Sequence, residues 1–208
     1  MPLTLEQGEK LIALARHELE IHFKDRDVER WDITDSEFNK KYGVFVTLYK
    51  QLDKKKELRG CIGFVQPKMP LWESVREAVK ASAFEDMRFL PLTKEELNKV
   101  LIEISILSPF KMIETSENMG GRRHETILHE IEVGRDGLII EYSGFSGLLL
   151  PQVAVESKLD EEHFLEQTCI KAGVSPQTWK NKSCKIYKFS AQIFAESAKG
   201  KVKEIKLK

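Results

Sequence analysis

Residues 43–67 constrain the fold more than any other stretch. The run GVFVTLYKQL is β-branched and aromatic, DKKK supplies a polar turn, and ELRGCIGFVQP returns as a second extended segment, the pattern of a β-hairpin. Around it the texture is helical. Thr4 and Gln7 form a capping box, and Leu5, Leu11, Ile12, Ala15 and Leu19 recur at spacings that make one stripe ending near His22. A second box, Thr34 to Glu37, predicts a short helix before Tyr42. After Pro70, LWESVREAVKASAF repeats the helical period at Leu71, Val75, Ala78 and Val79.

Beyond the loop EDMRFLP, Thr93 and Glu96 form a third box ahead of the strand-like VLIEISIL. Residues 114–130 read as an irregular insertion around Gly120-Gly121. IEVGRDGLIIEY predicts two short strands about a turn at Gly134–Gly137, and SGFSGLLLPQVA continues through another Gly/Ser turn. Asp160 opens a helix that Gly173 ends in a left-handed cap. A short helix from Ser175 carries Trp179, and CKIYKFSAQIFAES is the last strand. This order lacks regular βαβ alternation and predicts an α+β fold whose largely antiparallel sheet is flanked by helices. Residues 1–198 read as one domain with room for two lobes, and the lysine-rich residues 199–208 as a solvated tail.

At 208 residues the chain can bury roughly 70% of its unfolded surface, so it needs no disulfide or metal staple. Its 33 Lys+Arg balance 33 Asp+Glu. That removes the bulk attraction on which most nucleic-acid binders rely and leaves only local patches to serve. Cys61, Cys169 and Cys184 cannot all pair and show no close metal-ligand spacing; we read them as reduced thiols in a cytosolic protein. MPLTLEQGEK carries acidic residues where a secretory signal needs basic ones, and no apolar run approaches the ~18 residues of a membrane span. We expect a soluble, cytoplasmic chain with no membrane partner. Four Asn against 32% charged residues is a balance found in thermophiles.

The chemistry concentrates in Leu58-Arg59-Gly60-Cys61-Ile62-Gly63. Two glycines bracket a thiol, where the backbone can bulge or a ligand can approach the main chain. In a regular strand Arg59 and Cys61 face the same way, and a guanidinium beside a thiol favours thiolate and holds carboxylates or phosphates. The competing reading makes Cys61 a small buried hydrophobe.

These residues also carry a resemblance. LRGCIG, with GVFVTL before it and AVKASAFEDMRF, EISIL, VGRDGL, GLLLPQVA and FLEQTCIKAGV after it, is similar to the AMME chromosomal-region protein family from about Gly43 to Phe194. The resemblance implies a two-lobed α+β domain with LRGCIG near the junction of the lobes. It implies Memo-like and radical-SAM proteins as neighbours, and it brings no established activity or cofactor. Carried over residue by residue it marks Arg59, Gly60, Cys61 and Gly63, then Asp86, Arg88 and Phe89, then Gly147, Pro151 and Gln152. Asp86 and Arg88 either meet a polar ligand or pin a helix end to the sheet. Gln152 either orients a ligand or satisfies neighbouring backbone.

Two functional classes follow. In the first, a cleft takes a small anionic or polar ligand: Arg59 and Arg88 anchor charge, Gly60 and Gly63 admit backbone contact, Asp86 and Gln152 add polar contacts, and Cys61 is nucleophile or soft ligand. No base is visible to complete a Cys-His pair. In the second, a non-catalytic adaptor docks a Memo-like or radical-SAM partner, which requires an exposed apolar patch and an ordinary Cys61 thiol. Metal and nucleic acid are weaker directions. His124 and His129 lie five apart, which on a helix separates them by about 140°, whereas a zincin needs four. RGCIGFV resembles an RNA-recognition strand with one residue too many, which flips its aromatic face.

Overall fold

The computed structural model describes residues 3–24, 34–52, 55–114, 123–197 and 200–207. Along the chain run α1 (Leu5–His22), β1 (Gly43–Leu52), β2 (Lys55–Phe64), α2 (Leu71–Phe84), β3 (Val100–Leu107) and β4 (Lys111–Met112). Then follow α3 (Arg123–Glu130), β5 (Asp136–Tyr142), β6 (Phe145–Leu149), α4 (Pro151–Glu156), α5 (Glu161–Lys171), β7 (Lys185–Glu196) and β8 (Val202–Ile205). The class is α+β. The pairings β1–β2, β1–β3, β4–β7, β5–β6, β5–β7 and β7–β8 are all antiparallel. The chain forms two compact units, Met1–Leu107 with Gln192–Ile205, and Ser108–Ala191 with Lys206–Lys208.

In the first unit β1 lies between β2 and β3. Val44, Val46 and Leu48 are fully buried on the face that meets the helices, as the two-residue period of a strand requires, and Thr47 of the opposite face is buried as well. Leu11, Ile12, Ala15 and Leu19 of α1 and Val75, Ala78 and Val79 of α2 complete that core. Thr4 caps α1 with the expected box, its side chain accepting from the Gln7 amide while Gln7 reaches back to the Thr4 N–H. Arg16 ties α1 to the strands, donating to the carbonyls of Leu97 and Val100 and pairing with Glu196. β2 is the edge strand of this sheet.

The second unit gathers Ile127, Leu138, Ile140, Phe164, Leu165, Trp179 and Ile186 into its own core. Asp160 caps α5 as expected, and Gly173 takes the left-handed φ of +79° at its end.

Several expectations change. Residues 123–130 are the helix α3 rather than irregular; residues 115–122, with Gly120-Gly121, lie outside the described residues. Glu132 and Val133 form a turn instead of a strand, because the Asp136 carboxylate accepts from the Glu132 N–H at 2.9 Å. Pro151 starts α4 at the first helical position, where its missing N–H costs nothing. Asp35, not Thr34, caps the short 3-10 turn Ser36–Asn39. Of the turn DKKK, Asp53 and Lys54 lie outside the described residues, and Lys55 and Lys56 already belong to β2. Residues 202–205, placed in a solvated tail by composition, are β8 and pair with Ile193–Glu196.

Candidate functional site

Arg59, Gly60, Cys61, Gly63, Asp86 and Arg88 all fall in the first unit, around the edge strand β2. The hairpin register explains their geometry. Leu48 pairs with Gly60 but Tyr49 pairs with Leu58, so Arg59 is the extra residue of a β-bulge. The expectation that Arg59 and Cys61 act as a pair fails here, because a bulge breaks the two-residue alternation. Arg59 instead makes a two-pronged bond to Glu96, Nε to Oε1 at 3.0 Å and Nη2 to Oε2 at 2.9 Å, and Nη2 also reaches the Pro91 carbonyl at 3.3 Å.

The space left by each glycine is filled by the protein itself. A Cβ on Gly60 would stand 2.0 Å from the Ser82 carbonyl oxygen, so α2 sits directly on the β2 backbone. A Cβ on Gly63 would stand 2.4 Å from the Phe45 ring of the neighbouring strand. Neither glycine opens onto ligand space. Contact at Gly60 lets the Ser82 hydroxyl enter the β1–β2 ladder, where it accepts from the Ile62 N–H at 2.8 Å and has the Val46 and Ala78 carbonyls, each at 2.7 Å, as acceptors for its one proton.

Cys61 lies opposite Thr47. Its N–H turns outward to the sheet edge and donates to Asp86 Oδ2 at 2.9 Å. Arg88 clamps the same carboxylate, Nε to Oδ1 at 2.9 Å and Nη2 to Oδ2 at 2.7 Å, and its Nη2 lies 3.5 Å from the Cys61 carbonyl. Asp86 and Arg88 thus do for Cys61 what a neighbouring strand would do, and they cover a stretch of open edge. Of the two readings of this pair, pinning the end of α2 to the sheet is the one the geometry fits.

The electrostatics follow from these contacts. Arg88 first, then the backbone N–H groups of Cys61 and Arg88, hold the Asp86 carboxyl at about 2 against the opposing effect of burial. Arg59 first, then the Thr93 N–H and Lys50, hold Glu96 at about 2. For the half-buried Cys61, burial is the largest influence and pushes the thiol up. The hydroxyl of Thr47, 3.2 Å from Sγ, and the Arg88 charge only partly oppose it. At neutral pH the group is a thiol. The cation that acts on it is Arg88, already matched by a carboxylate.

The loop after α2 is fixed at several points. Besides the Asp86 contacts, Phe89 N–H bonds the Asp86 carbonyl at 2.9 Å and Leu92 N–H bonds the Ala83 carbonyl at 2.8 Å. Two guanidinium groups approach the Phe89 ring, Arg59 at 6.0 Å and Arg88 at 5.5 Å from its centre. On this fixed loop Met87 is 99% exposed and Leu90 84% exposed. Neither residue was singled out from sequence, although EDMRFLP holds three large apolar side chains, Met87, Phe89 and Leu90, in a connecting loop. Glu96 accepts from the Thr93 N–H at 3.2 Å, as the capping box predicts, and also takes Arg59, which the box does not foretell.

Gln152 belongs to the second unit, buried on α4 beside buried Pro151. Gly147 there lets β6 meet α5, since its Cβ would stand 2.4 Å from the Ala172 amide nitrogen. Among the described residues no cluster of three or more His, Cys, Asp or Glu could hold a metal ion, and no helix is long and apolar enough to cross a membrane.

Comparison with known proteins agrees along nearly the whole chain. The AMMECR1 family model matches residues 12–194. Protein MJ0810 of Methanocaldococcus jannaschii is 43% identical over 206 residues, covering 99% of this chain and 98% of that one. Protein PH0010 of Pyrococcus horikoshii is 44% identical over 193 residues, 92% of this chain and 90% of its own. The crystal structure of that uncharacterized protein superposes with a TM-score of 0.86 at 43% identity, covering 97% of this chain and 98% of the other. The protein belongs to the AMMECR1 family.

Proposed function

We propose that the protein is a cytoplasmic, non-catalytic docking module whose 86–91 loop presents Met87 and Leu90 to a protein partner. The observation that carries this is the combination of near-complete exposure of both side chains with a loop backbone tied down on both flanks. Displaying two large apolar groups in water is unfavourable, and fixing them lowers the ordering cost of binding. Methionine and arginine are both enriched at protein interfaces relative to the rest of the surface. Arg88, more than half exposed on its outer side, supplies the arginine beside Met87.

The competing reading, a ligand-binding or catalytic cleft around Cys61, asks for a thiolate and for guanidinium groups free to take an anion. Burial favours the protonated thiol, and Arg59 and Arg88 are each engaged by a carboxylate. Nucleic-acid binding draws no support from a net charge of zero. The partners to try first are the Memo-like and radical-SAM proteins that the family resemblance suggests.

Oxidative footprinting tests the reading. An exposed methionine converts readily to the sulfoxide, so the full chain is treated with dilute peroxide alone and with each purified partner. Protection of Met87 by one of them is expected. A Met87 that oxidises equally fast with and without both proteins, while Cys61 becomes protected, would overturn the docking reading in favour of the cleft.

A further inference from the structure

The second unit carries a groove of about 370 Å³ that none of the preceding chemistry uses. Leu149 of β6, Val153 of α4, Leu159 between α4 and α5, and Ile170 of α5 form its walls, and Ser157, Gln167 and Lys171 supply its polar groups. Ile170 is 50% exposed although it lies on a helix whose other apolar residues, Phe164 and Leu165, are fully buried. The polar groups are a hydroxyl, an amide and an ammonium, with no carboxylate among the lining residues. Of the acids that flank lining residues in sequence, Glu156, Asp160 and Glu166, Asp160 is engaged by His163 and Glu166 by the Gln177 amide.

A second feature marks the rim. Between the lining residues Ser157 and Leu159, Lys158 holds a left-handed φ of +54°. Glycine fits that conformation without strain, and a lysine there bears a backbone cost. The α4 end is closed by Lys158 N–H to the Val155 carbonyl at 3.2 Å and Leu159 N–H to the Ala154 carbonyl at 2.9 Å. The groove therefore has aliphatic walls of fixed backbone, one cationic lining group and another cation in its rim. Pockets of this size, mostly apolar with a few polar groups, are the usual form of small-molecule sites.

We propose that this groove binds an aliphatic carboxylate, the chain lying along Leu149, Val153, Leu159 and Ile170 and the carboxylate meeting Lys171, with the Ser157 hydroxyl and Gln167 amide as further donors. The site is independent of the 86–91 loop and of any partner that docks there. Because the groove is open and its ammonium is solvated, the affinity is modest, with half-saturation on the order of 0.1–1 mM.

The probe is decanoate, with decanol as its uncharged counterpart, titrated into the isotopically labelled full chain below their aggregation limits. Expected are methyl shifts confined to Leu149, Val153, Leu159 and Ile170, and a roughly two- to fivefold preference for decanoate over decanol, the range of a solvent-exposed ion pair. Lys171→Gln removes that preference while leaving decanol binding intact, and Ile170→Ser weakens both probes. Folding of each variant is read from its unchanged spectrum away from the groove. Shifts elsewhere, no saturation by a few millimolar, or equal binding of both probes to the unaltered protein would overturn the assignment.

Discussion

Replacing Asp86 by Asn copies a protonated carboxyl and so isolates what the Asp86 charge does. The carboxylate is almost fully buried, with a side-chain exposure of 5%, and its pKa falls from an ordinary 3.8 to about 2 in the folded chain. At about 1.4 kcal/mol for each tenfold change in proton affinity, this is about 2 kcal/mol of stability. The geometry gives a similar figure: a charged acceptor for the Cys61 N–H contributes ~1.5–3 kcal/mol, and an Arg88 in contact with solvent adds little. A depressed folded pKa means that the contribution is present in full above the unfolded value and disappears as pH falls through about 2. Calorimetric unfolding of both chains should then show Asp86→Asn melting roughly 4–8 °C lower at pH 6. The two should converge toward pH 2. Glu96 titrates in both chains and cancels from the comparison. A gap under about 0.5 kcal/mol at pH 6, or an equal gap at pH 2, would refute the claim that Asp86 clasps the edge of β2 through its charge.

Two further outcomes follow from the same geometry. Gly60→Ala forces a Cβ onto the Ser82 carbonyl, 2.0 Å away, which backbone cannot evade cheaply; we expect a loss of about 1–3 kcal/mol or more in urea or thermal unfolding, and an unchanged melting temperature contradicts the packing of α2 on β2. Cys61, pushed up by burial, should alkylate slowly at pH 7 and faster only as pH rises beyond the ordinary thiol range, with Cys61→Ala leaving stability within ~1 kcal/mol; rapid alkylation at pH 6 would mean that a thiolate exists there.

The hairpin, α1 with its capping box, α2, β3 and the cap at Gly173 were legible because each is set by local periodicity or turn chemistry. The bulge at Arg59 was not. It adds one residue to β2 without any composition signal, and it redirects the guanidinium from Cys61 to Glu96. Gly60 and Gly63 were legible as positions of close approach, but sequence cannot say whether a ligand or a neighbouring element makes the approach; here Ser82 and Phe45 do. Ser82 reads as one more small residue in a helix, and its entry into the β1–β2 ladder depends on contacts 20 and 36 positions away. β4 is two residues long and α3 follows a glycine-rich tract, so neither projects a periodic pattern. Met87 and Leu90 were visible as apolar residues in a connecting loop, yet only the fixed backbone around them turns exposure into a contact surface.

The most direct measurement is the affinity of the full chain for purified Memo-like and radical-SAM proteins, compared among three forms: unaltered, Met87→Asp with Leu90→Asp, and Cys61→Ala. Loss of two anchoring side chains should weaken binding by about 30-fold or more, while Cys61→Ala binds as the unaltered chain does. Binding that survives both aspartates, or that disappears with the sulfur, contradicts the account.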